Sequence, residues 1–191
     1  LVVGPARALD AHAGILPELT DWAAAYVPDG SKLDGAQLAA IFAHSRHLQV
    51  LARAHPHSIT DILSGRAGDV VATALAELEA AASEITEETA MIKAIRRLRQ
   101  QSALAVAVAD MAGIAPVDTQ MGWLSAAAES ALRAAVTYLF RQAARRGQIA
   151  DKTVITAPGM AGCGWVVLAL GKLGAGELNY SSDIDLILLH D

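Results

Sequence analysis

Along the first three-quarters of the chain, apolar residues recur at spacings of three, four and seven, the period of helices with one buried face. Over residues 34–54 they are Leu38, Ile41, Phe42, Leu48 and Leu51, and His55-Pro56 closes the segment, because the residue before a proline avoids the α region. A short helix over 18–26 fits between Pro17 and Pro28, and 59–63 reads as one helical turn. Val70, Val71, Leu75 and Leu78 mark a further helix over 69–82. Two long helices follow. Thr86 is placed to cap the first, with Glu87 and Glu88 beside the positive end of its dipole. Met91, Ile95, Leu98, Ala105 and Val108 form its buried stripe down to Met111. The second starts near Asp118 or Thr119 and runs to Arg146, with Trp123, Leu124, Ala128, Leu132, Ala135 and Leu139 as its apolar face. Gly147 is placed to end it.

Past Gly147 the pattern changes. Residues 147–164 hold Pro158 and several glycines and read as loop. Two short apolar runs follow, over 165–170 and 184–189, each with the look of a buried strand. The expected organisation is a mainly α helical bundle over 1–147, without internal repeats, followed by 148–191 as the first part of an α/β domain. That part comprises a strand over 165–170, a glycine turn and short helix over 171–180, and a strand over 184–189. Two strands alone are marginal in water, so the expectation is a domain cut after its second strand.

Composition narrows the class. The 191 residues are 53% hydrophobic and 18% charged, enough to bury a core. Aromatics are 4%, and the preference for alanine and leucine over β-branched residues argues against an all-β fold. A net charge of −5 argues against a surface that coats nucleic acid. The single cysteine, Cys163, cannot form an internal disulfide, which fits a reducing cytoplasm. No apolar stretch reaches the roughly 18–20 residues that span a bilayer. His44, His47, His55 and His57 lie close together without a cysteine or carboxylate cluster, so they read as structural or surface histidines. Lys93, Arg96, Arg97 and Arg99 read as a solvated basic face, with contact to an acidic partner as the alternative.

The residues that carry chemistry lie near the C-terminal end. Asp183 and Asp185 are separated by one residue at the start of a strand, so both carboxylates are expected on one face, with Cα atoms about 6.6 Å apart. Two like charges this close are relieved by a cation, and oxygen-only ligands select hard ions such as Mg²⁺ or Mn²⁺. Upstream, Gly171, Gly174 and Gly176 let backbone N–H groups approach a phosphate, Lys172 adds a positive charge, and Ser181-Ser182 directly precede the carboxylates. A helix starting near Lys172 would aim its positive end at an anion. A triphosphate bridged by Mg²⁺ to Asp183 and Asp185 suits these parts.

Gly171-Lys172, with Asp183 of the run Ser182-Asp183-Ile184-Asp185-Leu186 twelve residues after Gly171, resembles the polymerase-β-type nucleotidyltransferase signature, with Lys172 where that signature usually has serine. The whole run from Leu170 to Ile187 is similar to the active-site motif of the glutamine synthetase adenylyltransferase/adenylyl-removing family. Arg96-Arg97-Leu98-Arg99, the stretch over 107–113 and the long helix to Arg146 resemble the helical region before that motif. The resemblance implies two nucleotidyltransferase domains, one removing AMP from a tyrosine of glutamine synthetase by phosphorolysis to give ADP, the other attaching AMP from ATP. Glu177-Leu178-Asn179-Tyr180 with Ile184 is more similar to the removing, N-terminal copy. It further implies Asp183 and Asp185 as catalytic metal ligands and Gly171, Lys172, Gly174, Gly176, Ser181 and Ser182 as nucleotide- or phosphate-binding. A third carboxylate on a later strand, and regulation by glutamine and the PII signalling protein, are also implied. On this reading the 191 residues are inactive by themselves. The alternatives are the AMP-adding copy, another nucleotidyltransferase such as an antibiotic-modifying or uridylyl-transferring enzyme, and a non-catalytic helical interaction module.

Overall fold

The computed structural model describes residues 17–149 and 163–190. In order these form α1 (Pro17–Ala24), α2 (Gly35–His44), α3 (Arg46–Ala54) and α4 (Pro56–Asp61), then a π-helical turn (Ile62–Arg66). There follow α5 (Ala67–Glu84), α6 (Glu88–Met111), α7 (Val117–Arg145), β1 (Trp165–Leu170), α8 (Gly171–Gly174) and β2 (Asp185–His190). The mainly helical expectation holds, and the two strands pair as one antiparallel sheet. Most of the expected loop over 147–164 lies outside the described residues. No described helix is long and apolar enough to cross a membrane. The chain divides into two compact units, one of residues up to 71 with 100–120, the other of 72–99 with 121 onward.

In the first unit, Phe42, Leu38, Leu51, Ile59, Ile62, Leu104 and Val108 are fully buried. Asp34 starts α2 with a reciprocal cap: its carboxylate accepts from the Gln37 amide at 2.8 Å, and the Gln37 side chain accepts from the Asp34 amide at 3.0 Å. The stretch read as one helix over 34–54 is two. Ser45 sits extended (φ −138°, ψ 102°), and its hydroxyl accepts from the Leu48 amide at 3.2 Å. A serine hydroxyl competes for backbone partners, so it favours a helix start over a helix interior. Trp22 packs 5.9 Å from Phe42 and 5.3 Å from Tyr26, ring centre to ring centre, and the Arg53 guanidinium lies 5.1 Å over its face. Gly65, at φ +85°, kinks the chain between α4 and α5.

In the second unit, Ala74, Leu78 and Ala82 of α5, Met91 and Leu98 of α6, and Ala127, Ala134 and Tyr138 of α7 form one core cluster. The stripe of α6 is the predicted one. That of α7 is displaced by one residue: Ala127, Ala134 and Tyr138 are buried, whereas Leu139 keeps 61% of its surface exposed. In an alanine-rich helix the small residues flank the true stripe on both sides, so spacing alone selects the wrong member of each pair. Thr86 serves differently from the expected cap. Met91 donates to the Glu87 carbonyl, which makes Glu87 the capping residue. The Thr86 carbonyl instead accepts from the Tyr138 hydroxyl at 3.3 Å and the Gln142 amide at 2.6 Å. Arg141 donates to the Ala82 carbonyl at 2.7 Å. Gly147 ends α7 as expected, at φ +72°, with Gly147 donating to Ala144 and Gln148 to Ala143. The strands differ from the expected buried runs: Trp165, Val166, Leu168, Leu170, Ile187, Leu188 and Leu189 stay between 42 and 57% exposed, since a two-stranded ribbon has no partner layer of its own.

Replacing Ser45 by alanine removes the N-terminal side-chain cap of α3 and is expected to cost about 1 kcal/mol, while Ser45→Asp retains most of the stability. Equilibrium unfolding in urea measures both.

Candidate functional site

The site is built on the hairpin and the turn that links its strands. Strand register places Leu170 opposite Asp185 and Trp165 opposite His190. The chain leaves β1 at Leu170 and enters the one-turn helix α8 through Gly171, at φ +54°. A side chain at Gly171 would lie 3.4 Å from Asp185 Oδ2. Its absence leaves the turn open beside that carboxylate. Leu170 precedes α8 and supplies no side-chain cap, so the amides of the first turn, which have no partner within the helix, receive none from a capping side chain.

Gly174 allows a second close approach. A Cβ there would collide with the Ala169 carbonyl oxygen, so only glycine lets the turn lie directly against β1. Gly176, at φ +73°, ends α8: Gly176 donates to the Leu173 carbonyl at 3.0 Å and Glu177 to the Lys172 carbonyl at 2.8 Å. Leu173 and Leu178 are buried on either side of this cap. Beyond it, the Leu178 amide donates to the buried Ser125 hydroxyl of α7 at 3.1 Å. At the far end of the hairpin, Trp165 stacks on His190 at 5.3 Å and meets Phe140 of α7 edge-on at 5.9 Å.

Asn179 and Ser182 clasp the last turn before the carboxylates. The Ser182 hydroxyl donates to Asn179 Oδ1 at 2.6 Å and accepts from the Asn179 amide at 3.2 Å, and the Ser182 amide donates to the Asn179 carbonyl at 3.1 Å. The Ser181 amide donates to Asn179 Oδ1 at 3.3 Å. The predicted site residues therefore divide by what they do in this state. Gly171 lies beside Asp185; Asp183, Lys172 and Ser181 are exposed; Gly174 and Gly176 shape the turn; Ser182 is engaged in the clasp. Strand β2 begins at Asp185, so Asp183 belongs to the turn before it, and strand alternation applies only from Asp185 onward. Because α8 is a single turn, its dipole adds little beyond the amides themselves.

The donor set suits a hard divalent cation. Both carboxylates are exposed, and the missing Cβ of Gly171 leaves room above Asp185. Among the described residues, no three His, Cys, Asp or Glu side chains converge. Mg²⁺ is commonly held by one or two carboxylates, with waters and substrate phosphate completing the shell. Sequence reasoning missed Asn179 and Ser125. The Asn-x-x-Ser spacing of the clasp is a turn signal that was available; Ser125 gives none, being one more small residue in an alanine-rich helix.

Burial pushes the Tyr180 hydroxyl above its ordinary value of 10.0, against the pull of the Arg99 guanidinium, which lowers it. The folded chain thus favours the neutral phenol. Its contribution to stability is complete below pH 10 and is lost as pH rises through the elevated folded value. Subtracting the ultraviolet titration of Tyr180→Phe from that of the parent is expected to give a midpoint above 10, and Arg99→Gln should move it higher. For the glycine turn, Gly176→Ala meets open space and is expected to cost about 1 kcal/mol, for its positive φ alone. Gly174→Ala must displace backbone and should cost more, by about 1–3 kcal/mol, so the order of urea midpoints tests the close approach.

Comparison with known proteins identifies the chain's relations. Residues 35–191 match the family model described as glutamate-ammonia ligase adenylyltransferase. The bifunctional glutamine synthetase adenylyltransferase/adenylyl-removing enzyme of Bradyrhizobium diazoefficiens is 39% identical over 154 residues, covering 81% of this chain and 15% of its own length. That of Xanthobacter autotrophicus is 40% identical over 141 residues, covering 74% of this chain and 14% of its own length. That of Rhodopseudomonas palustris is 35% identical over 190 residues, covering 98% of this chain and 19% of its own length. The chain spans less than a fifth of these curated relatives. No solved structure gives a significant match.

Proposed function

The chain belongs to the glutamate-ammonia ligase adenylyltransferase family, and from that membership we propose that residues 171–185 form part of a nucleotidyl-transfer site acting on glutamine synthetase. The relatives' names combine addition and removal of AMP, and we assign this copy to removal. Phosphate attacks the phosphorus of the adenylylated tyrosine, the bond to the tyrosyl oxygen breaks, that oxygen takes a proton, and ADP leaves. The reading is carried by one observation: the open glycine turn at Gly171 lies against Asp185, with Asp183 two residues before it.

The amides of Gly171, Lys172 and Leu173 would bind phosphoryl oxygens, with the Lys172 ammonium adding opposing charge and the Ser181 hydroxyl serving as a further donor. Asp183 and Asp185 would hold Mg²⁺ or Mn²⁺, which when bound neutralises phosphoryl charge and orients the attacking group. Fixing phosphate and adenylyl group on one rigid turn supplies proximity and orientation. The site acts within a polypeptide of the relatives' length, in the cytoplasm, where the AMP-adding site, a third carboxylate and responses to glutamine and PII would be found.

In such a polypeptide, Asp183→Asn and Asp185→Asn are each expected to lower AMP removal on the order of 10²-fold or more while leaving AMP attachment largely intact. Each keeps side-chain size and removes one anionic ligand. Both reactions are assayed on the same purified variants. Loss of attachment with removal retained would assign this segment to the adding copy, and retention of both would rule the carboxylates out as metal ligands.

A further inference from the structure

Hydrogen bonds tie the segment that leads into the carboxylates to helix α7 and to itself. Ser125 is buried, with 3% of its surface accessible, and its hydroxyl accepts from the Leu178 amide at 3.1 Å across 53 residues of sequence. The next residue, Asn179, is tied by amide, carbonyl and side chain to Ser182, and Asp183 follows directly. On the other side of Leu178, the cap at Gly176 and Glu177 fixes the chain to α8 and so to Gly171. The Ser125 bond therefore pins the midpoint of the only covalent link between the glycine turn and the acidic pair. Phe140 against Trp165 secures the opposite end of the hairpin, about 22 Å further along the same helix at 1.5 Å per residue.

We infer that Ser125 is a positioning residue: its hydroxyl fixes the turn that holds Asp183 and Asp185 in register with the Gly171 amides. The inference rests on the reading of Asp183 and Asp185 as metal ligands, but its structural half does not. A buried amide that loses its acceptor costs more than the bond was worth, so removal of the hydroxyl drives the Leu178 amide to seek water and loosens the turn. The helix keeps its own ladder and its core face.

The test is Ser125→Ala in a polypeptide of the relatives' length, with two readouts. Hydrogen exchange read by mass spectrometry is expected to accelerate over residues 178–182, with protection of the α7 segment over 127–142 retained. The Mg²⁺ concentration for half-maximal AMP removal is expected to rise about tenfold and kcat to fall about tenfold, with KM for adenylylated glutamine synthetase unchanged, the scale seen when residues supporting metal ligands are removed. Unchanged exchange over 178–182 overturns the anchor. Faster exchange with wild-type Mg²⁺ dependence and kcat overturns the positioning role, as does loss of α7 protection alongside the turn, which would make Ser125 a packing residue only. Asp183→Asn measured in parallel reports separately on whether the site itself has been read correctly.

Discussion

Two stretches of backbone touch where the chain turns after β1, and the geometry of the site depends on that contact. With no Cβ on Gly174, α8 lies against the Ala169 carbonyl instead of standing off from the strand. The fold-back sets where the rest of the turn goes. The cap at Gly176 then sends Leu178 toward Ser125, and the return strand enters with Asp185 opposite Leu170. Gly171 is left beside the Asp185 carboxylate. A side chain at position 174 would separate the layers by roughly a methyl group, more than hydrogen bonds of about 3 Å can absorb without breaking. Backbone approach, rather than any single polar contact, is what brings the glycine turn beside Asp185.

The helices were legible where periodicity was reinforced by a stop signal. Gly147 and the His55-Pro56 pair each mark a helix end in the sequence and in the fold. Periodicity failed in two informative places. At Ser45 the apolar spacing continues through a break, because a kink that begins a new helix one residue later preserves the approximate three-and-four rhythm. On α7 the rhythm was right and the phase wrong: Ala127 and Ala134 lie inside, next to Ala128 and Ala135, which spacing had favoured. Alanine carries too little hydrophobic contrast to set a phase, and Tyr138, whose hydroxyl finds the Thr86 carbonyl, settled the face that Leu139 was expected to take.

The site was legible to the extent that it depends on residue type at short range. Glycines, a lysine, serines and an Asp-x-Asp pair within fifteen residues suggest their chemistry locally, and in the fold Gly171 lies beside Asp185. What holds them there was not legible. Ser182 reads as a ligand-binding hydroxyl, yet it closes a turn with Asn179; Ser125 reads as filler, yet it holds the Leu178 amide from 53 residues away. Long-range support of this kind leaves no trace in spacing, because the supporting group needs only to be small, polar and in the right place on a helix.

The corner between α5 and α6 carries a different implication, for the order in which the chain acquires its structure. Its Ala82 and Thr86 carbonyls receive their donors from Tyr138, Arg141 and Gln142, which lie 52, 59 and 56 residues away from their acceptors. Closing a loop of that length costs entropy before any of the three bonds is made. The three bonds at the corner therefore form only once α7 has docked against it. During synthesis from the ribosome, some fifty residues must emerge after this corner before its final donors exist, so the bend between α5 and α6 is completed by a helix made well after it.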